Sequence, residues 1–315
     1  MPELPLINIC NNRCLMCTNP VHGHWAKSEK FDFDILSARI ERFRRGSDEF
    51  LNNYKDAFSI TGGEPTLSLD LRPVIDKVRV CFPGIKISLL TNARMFSYPD
   101  FAKKFLGSYD NLDLVIPLHA HRADIHDRIT RVKNSFSQTV KGLNNIMKFR
   151  SAGQAVEIRV VIHKLNYKFL YNTIKFISAN FPSADRLVVI FFEIEGHAKN
   201  NLKALKIRYT QVIPQLNKVY GLAVKLPDFR LYHFPLCVVP EKFYSRVWRT
   251  LPEHGVAFLK VCDKCPVKSL CLGIHKEYLK NVGKAEFYPV KIKSGLVQDP
   301  SNWHHPIKRI TRKNA

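Results

Sequence analysis

The chain has 315 residues, 45% of them hydrophobic, and sets 49 Lys and Arg against 27 Asp and Glu for a net charge of +22. That length suits one large domain plus a smaller one, and the composition is that of a globular chain rather than a fibrous or disordered one. No apolar run approaches the ~20 residues that span a bilayer, and Met1-Pro2-Glu3 lacks the regions of a signal peptide, so the sequence predicts a cytoplasmic protein with no membrane association.

Apolar runs of strand length recur at Leu4–Ile9, Ala57–Thr61, Ile85–Thr91, Leu112–Leu118, Val156–Ile162 and Leu187–Phe192. They are mostly continuous rather than alternating, which suits strands buried on both faces of a parallel sheet. Pro5 in the first run is tolerable if that strand lies at an edge. Helical periodicity fills the intervals, over Phe33–Arg44, Leu71–Val80, Asp100–Leu106, Ser135–Arg150 and Tyr167–Asn180, and Tyr209–Tyr220 follows the last run. Six alternations argue for an α/β fold. Eight would close a full barrel, so six predict a partial (β/α)6 TIM-type barrel or an open sheet, with ligand chemistry at the carboxyl ends of the strands.

Polar punctuation falls at those ends. Strand one runs into Cys10-Asn11-Asn12-Arg13-Cys14-Leu15-Met16-Cys17, strand two into Thr61-Gly62-Gly63-Glu64-Pro65-Thr66, and strand three into Thr91-Asn92-Ala93. Strand four ends at His119-Ala120-His121, strand five at His163-Lys164 and strand six at Glu193-Ile194-Glu195-Gly196-His197. After about Ile207 the alternation stops and prolines and cysteines return. The predicted division is therefore 1–207 for the barrel, 208–288 for a cysteine-bearing region and 289–315 for a basic tail, read as a surface extension or partly disordered.

Seven of the eight cysteines fall into two groups, which in a cytosolic chain favours metal over disulfides. Cys81, after the apolar Val78 and Val80, reads as a buried structural thiol. In the first group three thiolates follow a strand with C-x3-C-x2-C spacing. They can fill three irons of a [4Fe–4S] cube and leave the fourth open. A zinc site completed by His22 or His24 is the alternative.

This loop, followed at the end of strand two by Gly62-Gly63-Glu64-Pro65, resembles the radical S-adenosylmethionine (radical SAM) superfamily, and the six strand ends match from residue 4 to about 207. The resemblance implies that Cys10, Cys14 and Cys17 ligate a [4Fe–4S] cluster whose open iron takes the amino and carboxylate groups of S-adenosylmethionine. It also implies that Gly62, Gly63, Glu64 and Pro65 lie against the methionyl part and that Asn92 lies near the cofactor. An electron from the cluster would cleave the sulfonium, and the 5′-deoxyadenosyl radical would take hydrogen from a substrate. In many peptide-modifying members a Ser at the end of strand four holds the ribose; here His119 or His121 stands there. Asp127 and Arg131 read either as an ion pair at a helix entrance or as groups near the cofactor. Glu157 and Arg159 share one face of strand five; Arg159 reads as a partner of Glu157 or of a neighbouring strand, with the cofactor carboxylate as the alternative.

The second group, Cys237 with Cys262-x2-Cys265-x5-Cys271 and Gly273, resembles the C-terminal SPASM or shorter "twitch" region of radical SAM peptide maturases. Four thiolates can close one auxiliary [4Fe–4S] cluster; zinc on four thiolates, or on three with His275, is the alternative. The run His119–Asn145 with Val156–His163 and Leu236-Cys237 looks most like the His-Xaa-Ser system maturases. A peptide or protein substrate and an external electron donor follow from that resemblance. With nine residues ahead of Cys10, a leader peptide is expected to bind elsewhere, on the basic surface or on a partner maturase protein.

The basic excess can also attract nucleic acid or an acidic partner. It is spread along the chain, with a modest concentration at Lys291, Lys293, Lys308, Arg309, Arg312 and Lys313, and no recognition motif accompanies it. Two rivals therefore stand beside the peptide-modifying enzyme: a radical SAM enzyme acting on RNA or a nucleotide, and a non-enzymatic zinc-binding adaptor.

Overall fold

A computed structural model describes residues 3–18, 32–46, 57–251 and 253–291, together with two short strands beyond them. The six expected strands are β1 (Glu3–Pro5), β2 (Ala57–Thr61), β3 (Lys86–Leu90), β4 (Leu112–Pro117), β5 (Val156–Ile162) and β6 (Arg186–Phe191). All are parallel and adjacent in chain order. The continuous apolar runs are buried on both faces; Leu112, Leu114, Val115 and Ile116 of β4 are all inaccessible or nearly so.

The sheet does not end with the sixth strand. β7 (Phe229–Tyr232) and β8 (Val247–Trp248) add to the same sheet in parallel, giving eight strands in the order β1 to β8 with β1 and β8 at its edges. The sheet is open rather than closed into a full barrel, but it holds eight strands where six were expected and continues past Ile207. Runs of four and two residues among prolines are too short for a hydrophobic pattern to disclose. β1 is shorter than the run Leu4–Ile9 predicts, and Pro5 sits on an edge strand, where its missing N–H costs nothing.

The helices between strands are α1 (Phe33–Arg44), α2 (Leu71–Cys81), α3 (Pro99–Leu106), α4 (Ala123–Thr130), α5 (Ser135–Phe149) and α6 (Leu170–Asn180). Each lays an apolar stripe on the sheet, as Val74, Ile75 and Val78 do for α2. α1 starts where Asp32 accepts from the Ile35 N–H at 3.0 Å. α4 departs from the sequence reading. Only Ile125 and Ile129 mark its buried face in an otherwise polar run. The two short helices α7 (His197–Asn200) and α8 (Leu202–Leu205) precede α9 (Tyr209–Ala223).

The later chain packs onto this frame through aromatics. Phe191 of β6 stacks on Tyr209 with ring centroids 3.8 Å apart, Tyr209 meets Tyr278 at 4.8 Å, and Tyr278 meets Phe287 at 5.7 Å. Strands Val256–Ala257 (β9) and Ile274–His275 (β10) pair antiparallel. Within the tail, Leu296–Gln298 (β11) pairs antiparallel with Ile307–Arg309 (β12), so the expected irregular extension contains a two-stranded ribbon. No helix of the described residues is long and apolar enough to cross a membrane.

Candidate functional site: the cysteine loop at the strand ends

Residues 6–9 leave β1 across the end of β2. Leu6 N–H donates to Thr61 O at 2.9 Å, Gly63 N–H donates to Ile7 O, and Glu64 N–H donates to Ile9 O at 2.8 Å. The glycines follow from this close approach. A Cβ on Gly62 would collide with the Ile7 backbone and one on Gly63 with the Ile9 carbonyl. Gly62 also has φ +128°, open to glycine and strained for other residues. The pair thus lets the turn after β2 press against the segment that carries Cys10.

The loop itself is held from three directions. Arg13 N–H donates to Thr130 O at 2.9 Å and Leu15 N–H to Ile129 O at 3.0 Å, so the carbonyls at the end of α4 grip it from one side. His197 N–H donates to Cys17 O at 2.9 Å, and Asn201 Nδ2 donates to Leu15 O at 3.1 Å. From β3, Asn92 Nδ2 donates to Asn11 Oδ1 at 2.6 Å and lies 3.9 Å from Cys10 Sγ, while Asn12 N–H reaches the same sulfur at 3.3 Å.

Asn92 is in turn fixed by Glu64. The Glu64 carboxylate is buried and accepts from Asn92 N–H at 2.7 Å, Thr91 Oγ1 at 2.6 Å, and the Thr66 N–H and hydroxyl at 3.2 and 2.5 Å. Burial pushes its pKa up, against these donors. Pro65 starts a short 3₁₀ turn that Glu64 caps. Cys10, Gly62, Gly63, Glu64, Pro65 and Asn92 therefore form one connected unit, and the Glu64 side chain serves as its internal anchor.

Burial pushes the Cys10 thiol up to about 11, helped by Glu64 and Cys17, and pushes Cys14 higher still with the charges of Cys17 and Cys10 added. Thiols so disposed ionise when a cationic centre compensates them. This donor set fits a cluster: three sulfurs on one loop, amide donors on Cys10 and a glycine turn against it. His22 and His24, the alternative zinc ligands, lie outside the described residues.

His119 is buried beyond β4. Its N–H donates to His126 Nδ1 at 3.2 Å, its carbonyl accepts from Asn166 Nδ2 at 2.9 Å, and its Nδ1 has no partner. Burial holds it well below the ordinary histidine range, so it is neutral. His126 and His163 are likewise pushed down by burial, to about 4 and about 3, and each leaves Nε2 unpartnered. Asp127 accepts from Asn134 N–H, Ser135 Oγ and Phe136 N–H at 2.7–2.8 Å, which makes it the cap of α5. Glu157 and Arg159 pair at 2.5 Å, with Arg186 as a third member at 2.8 Å. Beyond β6, burial and Glu195 push Glu193 up to about 7, and it meets His233 at 3.1 Å.

The second cysteine group is spread over short 3₁₀ turns. Burial pushes Cys237 up to about 12, with the charges of Cys271, Cys262 and Cys265 contributing. Gly273 N–H donates to Cys271 Sγ at 3.5 Å. A cavity of about 480 Å³ opens beside Cys265 and Cys271, lined also by Arg249, Phe258 and Lys268. His275 Nε2 is 3.2 Å from Glu195 Oε1. Among the described residues no three Cys, His, Asp or Glu side chains already close on one metal-ion position. None of the eight cysteines forms a disulfide; Cys81 is half-buried and donates to Glu41 at 3.3 Å.

The sequence pattern of the radical SAM superfamily matches residues 4–177, more than half of the chain. The chain belongs to that superfamily. It is 31% identical over 162 residues to the mycofactocin maturase MftC of Mycobacterium tuberculosis, covering 50% of this chain and 36% of that protein. It is 29% identical over 167 residues to the GTP 3′,8-cyclase of Pasteurella multocida, covering 51% and 44%. The fold is similar to that of Streptococcus suis SuiB bound to its precursor peptide SuiA, with a TM-score of 0.55 at 17% identity over 73% of this chain and 48% of that one. The matches thus span half or less of each of these radical SAM relatives.

Sequence reasoning missed the carbonyls of α4, Asn12, Asn201 and Arg94. Arg94 alone had a legible signal: it follows Thr91-Asn92 at a strand end already marked as polar.

Proposed function

We propose that this chain is an enzyme that cleaves S-adenosylmethionine reductively and abstracts hydrogen from a ribosomally made peptide or protein, giving a modified residue or a cross-link. The observation that most supports the first half is the connected unit of Cys10, Asn92, Glu64 and the Gly62-Gly63 turn. Cys10, Cys14 and Cys17 would hold a [4Fe–4S] cluster, which would supply the electron for cleavage of S-adenosylmethionine. The protein's part is to fix the three thiols, offer amide donors to Cys10 and keep Asn92, and the neutral His119 beyond β4, near the cofactor.

The peptide half rests on relatives: MftC is named a maturase, and SuiB has been seen with a precursor peptide. An external one-electron donor is required, and a leader-binding partner is compatible with the basic surface. Cys237, Cys262, Cys265 and Cys271 are assigned to a second [4Fe–4S] cluster in a C-terminal unit over 208–288, ahead of the basic tail 289–315. The cavity at Cys265 and Cys271 and the Gly273 amide donor on Cys271 favour this assignment; zinc is the other occupant to test. A cytoplasmic setting, where thiols stay reduced, suits this ligand set.

Anaerobic reconstitution with iron and sulfide, followed by reduction with dithionite in the presence of S-adenosylmethionine, tests the reading. The wild type is expected to bind about eight irons and form 5′-deoxyadenosine. C10A/C14A/C17A should form none, and absence of product from the reconstituted wild type sinks the proposal. A nucleotide substrate is the second reading, favoured by the +22 charge and the cyclase relative. Filter binding of tRNA against an acidic leader peptide separates the two; salt-sensitive RNA binding with no peptide binding selects the nucleotide reading.

A further inference from the structure

Arg94, one residue past Ala93 at the end of β3, is the cation built into the back of the cysteine loop. Its Nη1 donates to the Asn11 carbonyl and, at 3.0 Å, to Asn12 Oδ1. Its Nε donates to Gln138 Oε1 on α5 at 2.6 Å. Its own N–H donates to Asn92 Oδ1 at 3.0 Å, and Asn92 Nδ2 closes the circuit on Asn11. One guanidinium thus holds both of the first two residues between Cys10 and Cys14 and braces them on a helix that belongs to the frame. A planar fork with several donors suits this task, and an ammonium can supply only the charge.

We propose that Arg94 is a positioning residue for the cluster loop, and that its fixed positive charge stabilises the reduced state of the cluster held by Cys10, Cys14 and Cys17. The inference rests on the reading above. Reduction adds one electron, supplied by an external reductant, to a centre that already carries three thiolates. A cation held by the adjoining residues, in a partly buried setting, favours that added negative charge more than it favours the oxidised state. The hydrogen bonds to Asn11 and Asn12 fix where Cys10 and Cys14 stand, so geometry and charge act through the same side chain.

The test compares wild type with R94K, R94Q, R94A and Q138A, each reconstituted anaerobically. Iron per chain and the midpoint potential of the electron paramagnetic resonance signal that responds to S-adenosylmethionine are measured. R94Q and R94A are expected to shift the potential to more negative values, and R94A also to load less iron at this site. R94K should return the potential towards wild type while leaving the line shape altered, because charge returns without the fork. Q138A keeps the charge and loosens the brace, so it should hold the potential and broaden the signal. Should R94A prove too unstable to load, R94Q and Q138A carry the comparison. If R94Q loads fully with wild-type potential and line shape, the inference is wrong. If the wild type itself gives no such signal, it is the radical SAM reading that fails.

Discussion

Thr91 Oγ1 donates to Glu64 Oε1 at 2.6 Å, so the turn after β2 and the end of β3 share one buried carboxylate. Through Asn92 that carboxylate also fixes the residue that reaches Asn11 and Cys10. Glu64→Ala would strand the N–H groups of Thr66 and Asn92 and two hydroxyls. Each unsatisfied buried donor costs about 1–3 kcal/mol, so the variant should lose roughly 3 kcal/mol or more. Anaerobic urea denaturation of the apo-protein measures it, and a loss below about 1 kcal/mol would mean that the carboxylate is not an anchor.

Gly63→Ala places a Cβ on the Ile9 carbonyl, backbone against backbone, with no flexible side chain to give way. The turn must retreat from residues 7–9, taking Glu64 and Asn92 with it. Binding of about four irons to the first site and formation of 5′-deoxyadenosine should both fall at least tenfold. Gly221→Ala is the control, because nothing lies within 4 Å of a Cβ there and its backbone is helical. Equal iron loading in the two variants contradicts the close-approach argument.

The buried histidines give the fold an acid limit. His126 and His163 have folded pKa values near 4 and near 3, below the 6.5 of the unfolded chain. A depressed histidine leaves stability complete above pH 6.5, and lowers it as pH falls towards the folded value, because only the unfolded state takes the proton. Each histidine costs about 1.4 kcal/mol per pH unit across that window. These two histidines should therefore lower stability by about 2 kcal/mol between pH 6.5 and 5.5, since the unfolded imidazoles are half protonated at the start. Unfolding free energies of wild type and His163→Gln over that range check the slope; an unchanged slope in the variant excludes His163 as a contributor.

Glu157 lies under Arg159 and Arg186, with its side chain 4% exposed and theirs 22% and 24%. Burial alone would raise its pKa, but the two guanidinium groups outweigh it and hold it low. Its stabilisation is present above the ordinary carboxylate range and is lost as pH falls through the depressed value. Removing one partner of a buried pair costs about 3–5 kcal/mol; the partial exposure of both arginines puts Glu157→Ala near 3 kcal/mol or below. A thermal melt series at pH 7 reads it, and restoration of stability by Glu157→Gln would point to packing space rather than charge.

The sequence alone determined the parts of the site that are local. Three cysteines spaced over eight residues, a Gly-Gly-Glu-Pro turn and a Thr-Asn end are each contiguous, and their order along six alternating elements places them on one rim before any coordinates exist. Strand and helix limits were legible for the same reason: α1, β2 and β5 span the ranges that periodicity predicts, because burial on one face or two writes itself directly into the residue pattern. What the tertiary structure decided are contacts between segments that no pattern joins. α4 was hidden because two isoleucines suffice to bury it, yet its terminal carbonyls grip the cysteine loop. β7 and β8 were hidden because pairing, β7 with β6 and β8 with β7, rather than their own length, makes them strands. The glycines at 62 and 63 are explained by residues 7–9, Glu64 by Thr91 and Asn92, and Arg94 by Asn11, Asn12 and Gln138. Backbone and side-chain hydrogen bonds between distant segments carry no periodic signature, so their partners became legible only once the chain was folded.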